Sequence, residues 1–583
     1  MFLITTADHR YWKTDEPVLF LGEWCKLYSD RALWQNMQYE VLSYHWDDRK
    51  KLFANYQYLQ GLYERVLVDM VRSLNAIHDD DHSLRYWRII IGPWLFFFIH
   101  VFYDRYVCIE KAAQSHKVSG TMIGKYDQND WVPRDYVDFS GWVTKDAFNQ
   151  FLYSWIIERV KPFSYSYQKI DNRENIAEKQ IDKKTTWVKR LSKKMMLAYE
   201  GLLPHRFNKF VFISSYLRAK DQWLLQLSLG QWPSLFSPEV KEAESEVNLA
   251  IRTKVVLSCA GNQFERLLAQ IIPSQIPRAY LENYTFLKEQ ALAKYPASPK
   301  VILTACDFFS NESFKIFSAE HAQHGTRLVG IQHGGNYGTA LFLAFEEHEL
   351  RISDTYYTWG WQTDEGHKAK PLPAVKLNRF RKDIVFDPQG NILLTLGLMP
   401  RYSYHLYSVY LSSTGTLAYF QDQFSFIRGL NDRVYKDLLI RTYPQDYEWS
   451  QRERFQEFFP DVVFDHRKSI IESMKASRLF ITTYNATTFL ESFTANFPTI
   501  MFWNPEHWEL RDSAKPYFDQ LKKVGILHDT PQRAAQKVNE IFLDPGAWWQ
   551  GQEVQEAKNN FCSRFANTSD HWLENWRNDI GAQ

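Results

Sequence analysis

Three kinds of chemistry are scarce in this 583-residue sequence. It has only five cysteines (Cys25, Cys108, Cys259, Cys306, Cys562), scattered and with no C-x-x-C pair. That excludes a disulfide framework and a thiolate metal site, and it points to a reducing compartment. Charge of one sign is lacking too. Lys+Arg is 69 and Asp+Glu is 68, which argues against a nucleic-acid partner on bulk charge. No stretch has the ~20 apolar residues that a bilayer-spanning helix needs. The strongest candidate, IIIGPWLFFFIHVF at 89–102, is shorter and is flanked by Arg88 and by Asp104-Arg105. It reads as a buried core helix, with interfacial contact as the alternative. The start, MFLITTADHRYWK, shows no basic stretch leading into a long apolar one and reads as having no signal peptide.

Several catalytic signatures are missing as well. There is no G-x-x-x-x-G-K-[ST], no G-x-G-x-x-G after a strand, no G-x-S-x-G elbow and no H-E-x-x-H. These absences set aside a P-loop NTPase, a dinucleotide oxidoreductase of the usual kind, a serine hydrolase and a zincin. No acidic pair stands at a strand end to hold a nucleotide-bound metal.

What the sequence does have is an α/β rhythm. FLITTA, PVLFLG and YEVLSY near the start read as strands. Residues 47–76 and 84–113 read as two long amphipathic helices, opening a helical insertion over about 47–200. From residue 207 strands return, at KFVFISS, KVILT and RLVGI, separated by helical stretches. Residues 339–390, with YYTWG and KAKPLPAVKLNR, read as a connection between halves. A second alternation then runs through 392–396, 436–441, 462–464, 478–481 and 498–502. This spacing predicts parallel sheets. The predicted organisation is an α/β domain over 1–345, a connection over 346–390, a second α/β domain over 391–545 and a C-terminal helix over 546–583. Aromatics make up 16%, including 21 Trp, which fits either bulky core filling or stacking on a sugar or base.

Candidate site residues gather at predicted strand ends, where α/β sheets bind ligands. RLVGI runs into Gln332-His333-Gly334-Gly335, with Gly338 close behind. Glycines there let backbone N–H groups approach an anion, and Gln332 and His333 can hydrogen-bond a phosphate or donate a proton to it. Glu23 and Asp307 follow two other strands and are candidate acids, bases or nucleophiles, though Glu23 fits a helix cap equally well. The segment TTYNATT (482–488) offers Asn485, Thr487 and Thr488 at a helix start, a phosphate-binding pattern richer than an ordinary N-cap requires. Glu491, one turn on, could take a ribose hydroxyl or lie at the surface. Arg401 and the segment Arg441–Pro444, with Tyr443, follow two more strands. Arg401 could neutralise a phosphate or form a surface salt bridge. The loop His78–His82 reads as solvated. The basic stretch 161–194 reads as a solvated excursion or a patch for anionic lipid or acidic glycan.

Four segments together, PVLFLGEWC, WRIIIGPWLFFFIHVFYDR, IQHGGNYG and TTYNATTFLE…PTIMFWNPEHWELR, resemble a bacterial transferase family of surface-carbohydrate loci, nearly end to end. More distantly, the QHGG loop and the TTYNATT-to-PTI segment are similar to GT-B glycosyltransferases of capsule assembly, among them Kdo transferases and CDP-polyol phosphotransferases. The resemblance implies a GT-B fold of two Rossmann-like domains, with an acceptor-side N-terminal half and a nucleotide-donor C-terminal half. It implies that His333 contacts the donor phosphate or protonates the leaving group, and that Thr487 and Thr488 bind that phosphate. Gln332, Gly334, Gly335, Arg401, Tyr443, Asn485 and Glu491 complete the expected donor site. A His-Pro dipeptide common in sialyl- and Kdo-transferases is Tyr443-Pro444 here, so the resemblance does not carry the donor's identity with it. The expected function is metal-independent sugar transfer, with no cofactor beyond the nucleotide-sugar donor. The lead donor is a CMP-activated ulosonic acid, and the acceptor a cell-surface glycan or glycolipid. The expected place is the cytoplasm, with peripheral contact at the inner membrane. The alternatives are a CDP-polyol phosphotransferase and a non-catalytic carbohydrate-binding or assembly protein.

Overall fold

The computed structural model describes residues 1–168, 208–234, 245–258, 261–363 and 368–582. Most of the basic stretch 161–194 and Cys259 lie outside them. The fold is α/β and every paired strand in its three sheets is parallel.

The first sheet has the order β3-β2-β1-β4-β5, from Phe2–Ile4 (β1), Val18–Phe20 (β2), Tyr39–Val41 (β3), Gly120–Gly124 (β4) and Tyr165–Gln168 (β5). The second has the order β10-β9-β8-β7-β6, from Phe210–Ile213 (β6), Val301–Thr304 (β7), Arg327–Ile331 (β8), Thr355–Thr358 (β9) and Ala369–Pro371 (β10). The third has the order β13-β12-β11-β14-β15-β16, from Asn391–Thr395 (β11), Leu438–Arg441 (β12), Val463–Phe464 (β13), Ser477–Thr482 (β14), Thr499–Phe502 (β15) and Leu527–His528 (β16). The N-terminal half therefore holds two parallel sheets. The stretch expected as a helical insertion supplies β4 and β5, and the expected connection supplies β9 and β10. Strand β9 hides in the sequence because its polar tips are satisfied internally. The Tyr356 hydroxyl donates to Glu349 Oε2 at 2.8 Å, the Tyr357 hydroxyl to Asp579 Oδ1 at 2.6 Å, and Thr358 Oγ1 to the Trp361 carbonyl at 2.5 Å.

Two long helices pack on each other, and the second lies against helices that cover the first and second sheets. Helix α1 (Arg49–His78) begins where the Asp48 side chain accepts from the Lys50 and Lys51 N–H groups. It ends at Asp79 in the left-handed region, φ +56°. Its buried residues Leu52, Tyr56, Leu59, Tyr63, Val66 and Met70 recur at helical spacing. Helix α2 (Leu84–Gln114), capped by Ser83, is buried on every side, and 94% of its most apolar window is covered by protein. This is the core helix that the run at 89–102 predicts. Its charges are matched inside the fold. Arg88 forms a bidentate pair with Glu64 (2.7 and 2.6 Å), and Asp104 accepts from the Tyr44 hydroxyl at 2.7 Å and contacts Arg105.

Arg401, on the loop after β11, locks the first sheet to the third. Its guanidinium is buried, donates to the Trp24 carbonyl at 2.6 Å and contacts both Asp146 and Glu448. Arg105 reinforces the same junction by donating to the Ser403 carbonyl at 2.8 Å. Replacing one partner of such a buried pair strands the others, so Arg401→Met is expected to cost about 3–5 kcal/mol. Unfolding midpoints in urea check this. Lys13→Ala, which removes an exposed pair with Glu16, leaves the midpoint unchanged.

Candidate functional site

The loop after β8 is fixed by buried polar groups. Gln332, 2% exposed, accepts from the Trp359 N–H and from Trp361 Nε1, both at 2.8 Å, and donates to the Gly334 carbonyl at 2.8 Å. All of its hydrogen bonds are internal, so Gln332 shapes the loop instead of meeting a ligand. Gly338 sits at φ +73°, where an added Cβ would lie 2.4 Å from the Trp361 ring, and its N–H donates to Glu346 Oε2 at 2.7 Å. At Gly335 an added Cβ would stand 2.4 Å from the Ala486 carbonyl carbon and oxygen and 2.5 Å from the Thr487 nitrogen. The glycine there admits another stretch of backbone. It brings the loop after β8 into contact with the loop after β14, about 150 residues downstream.

His333 follows Gln332 and is held from behind. Its Nε2 lies 3.0 Å from Glu349 Oε1, and the Tyr337 hydroxyl lies 2.9 Å from the same nitrogen. Glu349, on helix α3 (Ala344–Ile352), is 1% exposed and also accepts from Tyr356. In the tautomer that donates from Nε2 to this carboxylate, Nδ1 is the nitrogen left to take a proton. The His333 carbonyl accepts from Lys376 Nζ at 3.0 Å.

The TTYNATT segment opens helix α6 (Thr487–Thr494). Of the helices between α3 and it in the chain, two short ones matter here, α4 (Val375–Asn378) and α5 (Phe380–Asp383). The residue at the α6 N-cap is Ala486, and no side chain caps the first turn. The hydroxyls of this segment are therefore not ordinary caps. Thr483 Oγ1 donates to the Thr395 carbonyl at 3.0 Å and Thr488 Oγ1 to the Tyr484 hydroxyl at 2.9 Å. Asn485 Nδ2 reaches Thr339 Oγ1 at 3.3 Å, while its Oδ1 is buried without a partner. Strands β11 and β14 are neighbours, with Thr395 opposite Thr482, although other strands separate them in sequence. The chain order reverses between them, which makes this the switch point of the third sheet. A cavity of about 280 Å³ lies there, lined by His333, Gly334 and Tyr337 from one side and by Gly397–Met399 and Tyr484–Ala486 from the other. Tyr404, Tyr407 and Tyr410 add aromatic walls, and Tyr443 stands at the rim.

Gln332, Gly335, Thr487, Thr488 and Glu491 stand beside the cavity without lining it, and three expected residues lie elsewhere. Arg401 is taken up by Asp146, Glu448 and Trp24 and does not line the cavity. Glu23 pairs with Lys26 at 3.0 Å, and that ammonium lies over the Trp34 and Tyr39 rings. Asp307, 8% exposed, accepts from Asn311 Nδ2 at 3.0 Å and flanks Cys306 behind the loop. Glu491 is not at the surface, and its carboxyl makes no hydrogen bond to any described residue. It is 7% exposed, and burial pushes its carboxyl up to about 7 against the pull of Lys376 and Arg379.

Four residues that the sequence reading passed over belong here. Glu349 orients His333. Lys376 and Arg379 approach α6. His405 lines the cavity with Nδ1 buried and unpartnered. Only the buried i, i+3 acids Glu346 and Glu349 on one face of α3 leave a trace in the sequence.

Two outcomes follow from this geometry. Gly335→Ala must push the two backbones apart and lowers the unfolding midpoint. Gly61→Ala, in open space on α1, raises stability by about 0.5–1 kcal/mol. Glu491 holds its proton more tightly folded than unfolded, so stability falls as pH rises from the ordinary 4.5 to about 7. At pH 8, Glu491→Gln is expected to exceed the parent by on the order of 2–3 kcal/mol, and at pH 4 the two converge. Unfolding at the two pH values reads this directly.

Comparison with curated proteins gives no match. Among solved structures, Acinetobacter baumannii MurG is 10% identical with a TM-score of 0.33, over 65% of this chain and 100% of that one. A UDP-N-acetylglucosamine 2-epimerase is 13% identical with a TM-score of 0.36, over 65% and 97%. WaaG, a glycosyltransferase involved in lipopolysaccharide biosynthesis, is 13% identical with a TM-score of 0.26, over 64% and 98%. Likenesses this low carry no argument about the chain. A family model described as LIC12162 family transferase matches residues 1–580, and the chain belongs to that family.

Proposed function

We propose that this transferase is a glycosyltransferase of GT-B type that moves a sugar from a nucleotide-activated donor to a glycan or glycolipid acceptor. One observation carries the reading. The His333–Glu349 pair and the uncapped start of α6 meet on one cavity at the switch point of the third sheet. Helix N-termini favour phosphate through free N–H groups and the helix dipole. The donor phosphate sits at Ala486–Thr488, with Asn485 and Thr487 as side-chain partners. The acceptor hydroxyl attacks the anomeric carbon and its proton passes to His333 Nδ1. The carbon–oxygen bond to phosphate breaks, and the phosphate leaves with the bonding pair. Glu349 holds the imidazole and stabilises the imidazolium that forms. This makes His333 the base, where the resemblance alone has it touching phosphate or acting as acid.

A CMP-activated ulosonic acid remains the lead donor, on resemblance. The charge for the leaving group comes from the helix terminus and from side chains, so the reading needs no metal. We place the protein in the cytoplasm, in keeping with the unpaired, buried Cys25 and Cys108, and in peripheral contact with the inner membrane.

Thermal shift with CMP, CDP, UDP and GDP tests the reading, since a ligand of the folded state raises the midpoint by mass action. At least one nucleotide should respond, and Thr487→Ala should remove the response. Silence from all four would overturn the proposal. With a responding donor, His333→Ala should lower kcat by roughly 10²–10⁴ and leave donor binding within a few-fold.

A further inference from the structure

Two cations near α6 form no ion pair among the described residues, and Glu491 is the carboxyl whose charge reaches them. Lys376 Nζ makes one hydrogen bond, to the His333 carbonyl, lies over the Tyr216 ring at 4.6 Å, and has no carboxylate within ion-pair distance there. The Arg379 guanidinium forms no ion pair with those residues either, and its Nε is buried without a partner. It stacks on Phe380, 4.6 Å from the ring centroid. Helices α4 and α5, which carry Lys376 and precede or begin beside Arg379, both pack against α6.

The third charged group is Glu491. Its carboxyl feels both cations without bonding either one, and it is more than nine-tenths buried. Thr487 and Glu491 are four residues apart on α6 and share a face, and the Thr487 nitrogen, with the Ala486 carbonyl, is the backbone that meets Gly335. Buried charge is normally paired or bound to something. Burial lowers the Lys376 ammonium below its usual range, the mark of a cation short of an anion. The cluster sets two cations against one carboxyl, and it adjoins the turn already assigned to a phosphate.

We propose that Lys376 and Arg379 form a second oxyanion subsite beside the start of α6, which takes an additional phosphoryl or carboxylate group of the same donor. The donor is then a two-anion molecule. Either a nucleoside diphosphate sugar or a nucleoside monophosphate ester of an acidic sugar supplies that chemistry. Glu491 is the hydrogen-bond donor of the subsite in its protonated form and sets how much anionic charge it accepts. This assignment rests on the reading of α6 as the phosphate turn.

Isothermal titration of the full chain with CMP, CDP and CMP-N-acetylneuraminate, and with UMP and UDP, separates the cases. At least one two-anion ligand should bind tenfold or more tightly than its monophosphate. A gain with CDP or UDP assigns a phosphoryl group, and a gain with the CMP-sugar assigns a carboxylate. Lys376→Met and Arg379→Met should each erase most of that gain and change monophosphate affinity less than threefold. Arg379→Lys should keep some of it, which separates lost charge from lost folding. Equal affinity for one- and two-anion ligands overturns the subsite and leaves the phosphate turn standing. So do variants that weaken monophosphate and two-anion ligand alike. If no nucleotide binds at all, both proposals fall.

Discussion

The contact between Gly335 and the Ala486–Thr487 backbone is the constraint on which the site depends. Two polypeptide backbones can come this close only where no Cβ intervenes. Because they do, the carboxyl end of one parallel sheet faces the carboxyl end of another. The cavity takes its walls from both ends. One brings a histidine backed by a buried carboxylate, the other a helix start without a side-chain cap.

Buried charge holds the surrounding frame. Arg401 ties the first sheet to the third through Asp146, Glu448 and Trp24, and Arg511 bridges Glu346 Oε1 at 2.7 Å and the Ala340 carbonyl at 3.0 Å. Such pairs give little net stability, yet breaking one is costly, so they fix relative position. Arg49 adds a bidentate pair with Glu509, at 2.7 and 2.9 Å, between α1 and the segment after β15. Against these matched pairs the unmatched Lys376, Arg379 and Glu491 stand out as a place kept for something else.

Much of the fold was legible in the sequence. The runs RLVGI, KVILT and FLIT are apolar, bounded by polar loops, and form β8, β7 and β1. The helices at 49–78 and 84–114 follow their apolar spacing within two residues of the expected ends. TYYT reads as loop because hydroxyls look polar, and its burial depends on Glu349 and Asp579 elsewhere in the chain. The short strands β4 and β5, GTMIG and YSYQ, have too little apolar pattern to declare themselves.

The candidate site divides in the same way. Sequence by itself determined the two turns, QHGG and TTYNATT, because glycine freedom and hydroxyl density are local properties. It also marked the apolar run at 89–102 as a core-helix candidate, although the 31-residue helix that holds it is long and apolar enough to cross a membrane and is shown to be core only by its 94% burial. Only the tertiary structure decided that the two turns touch, that Glu349 backs His333, and that Arg401 and Glu23 are spent on structural pairs. It decided as well that Lys376 and Arg379 approach α6 from a segment that reads as a mere connection. The reason is physical. A side chain's role follows from the charge and burial around it, and those are set by neighbours that the chain brings near from tens to hundreds of residues away.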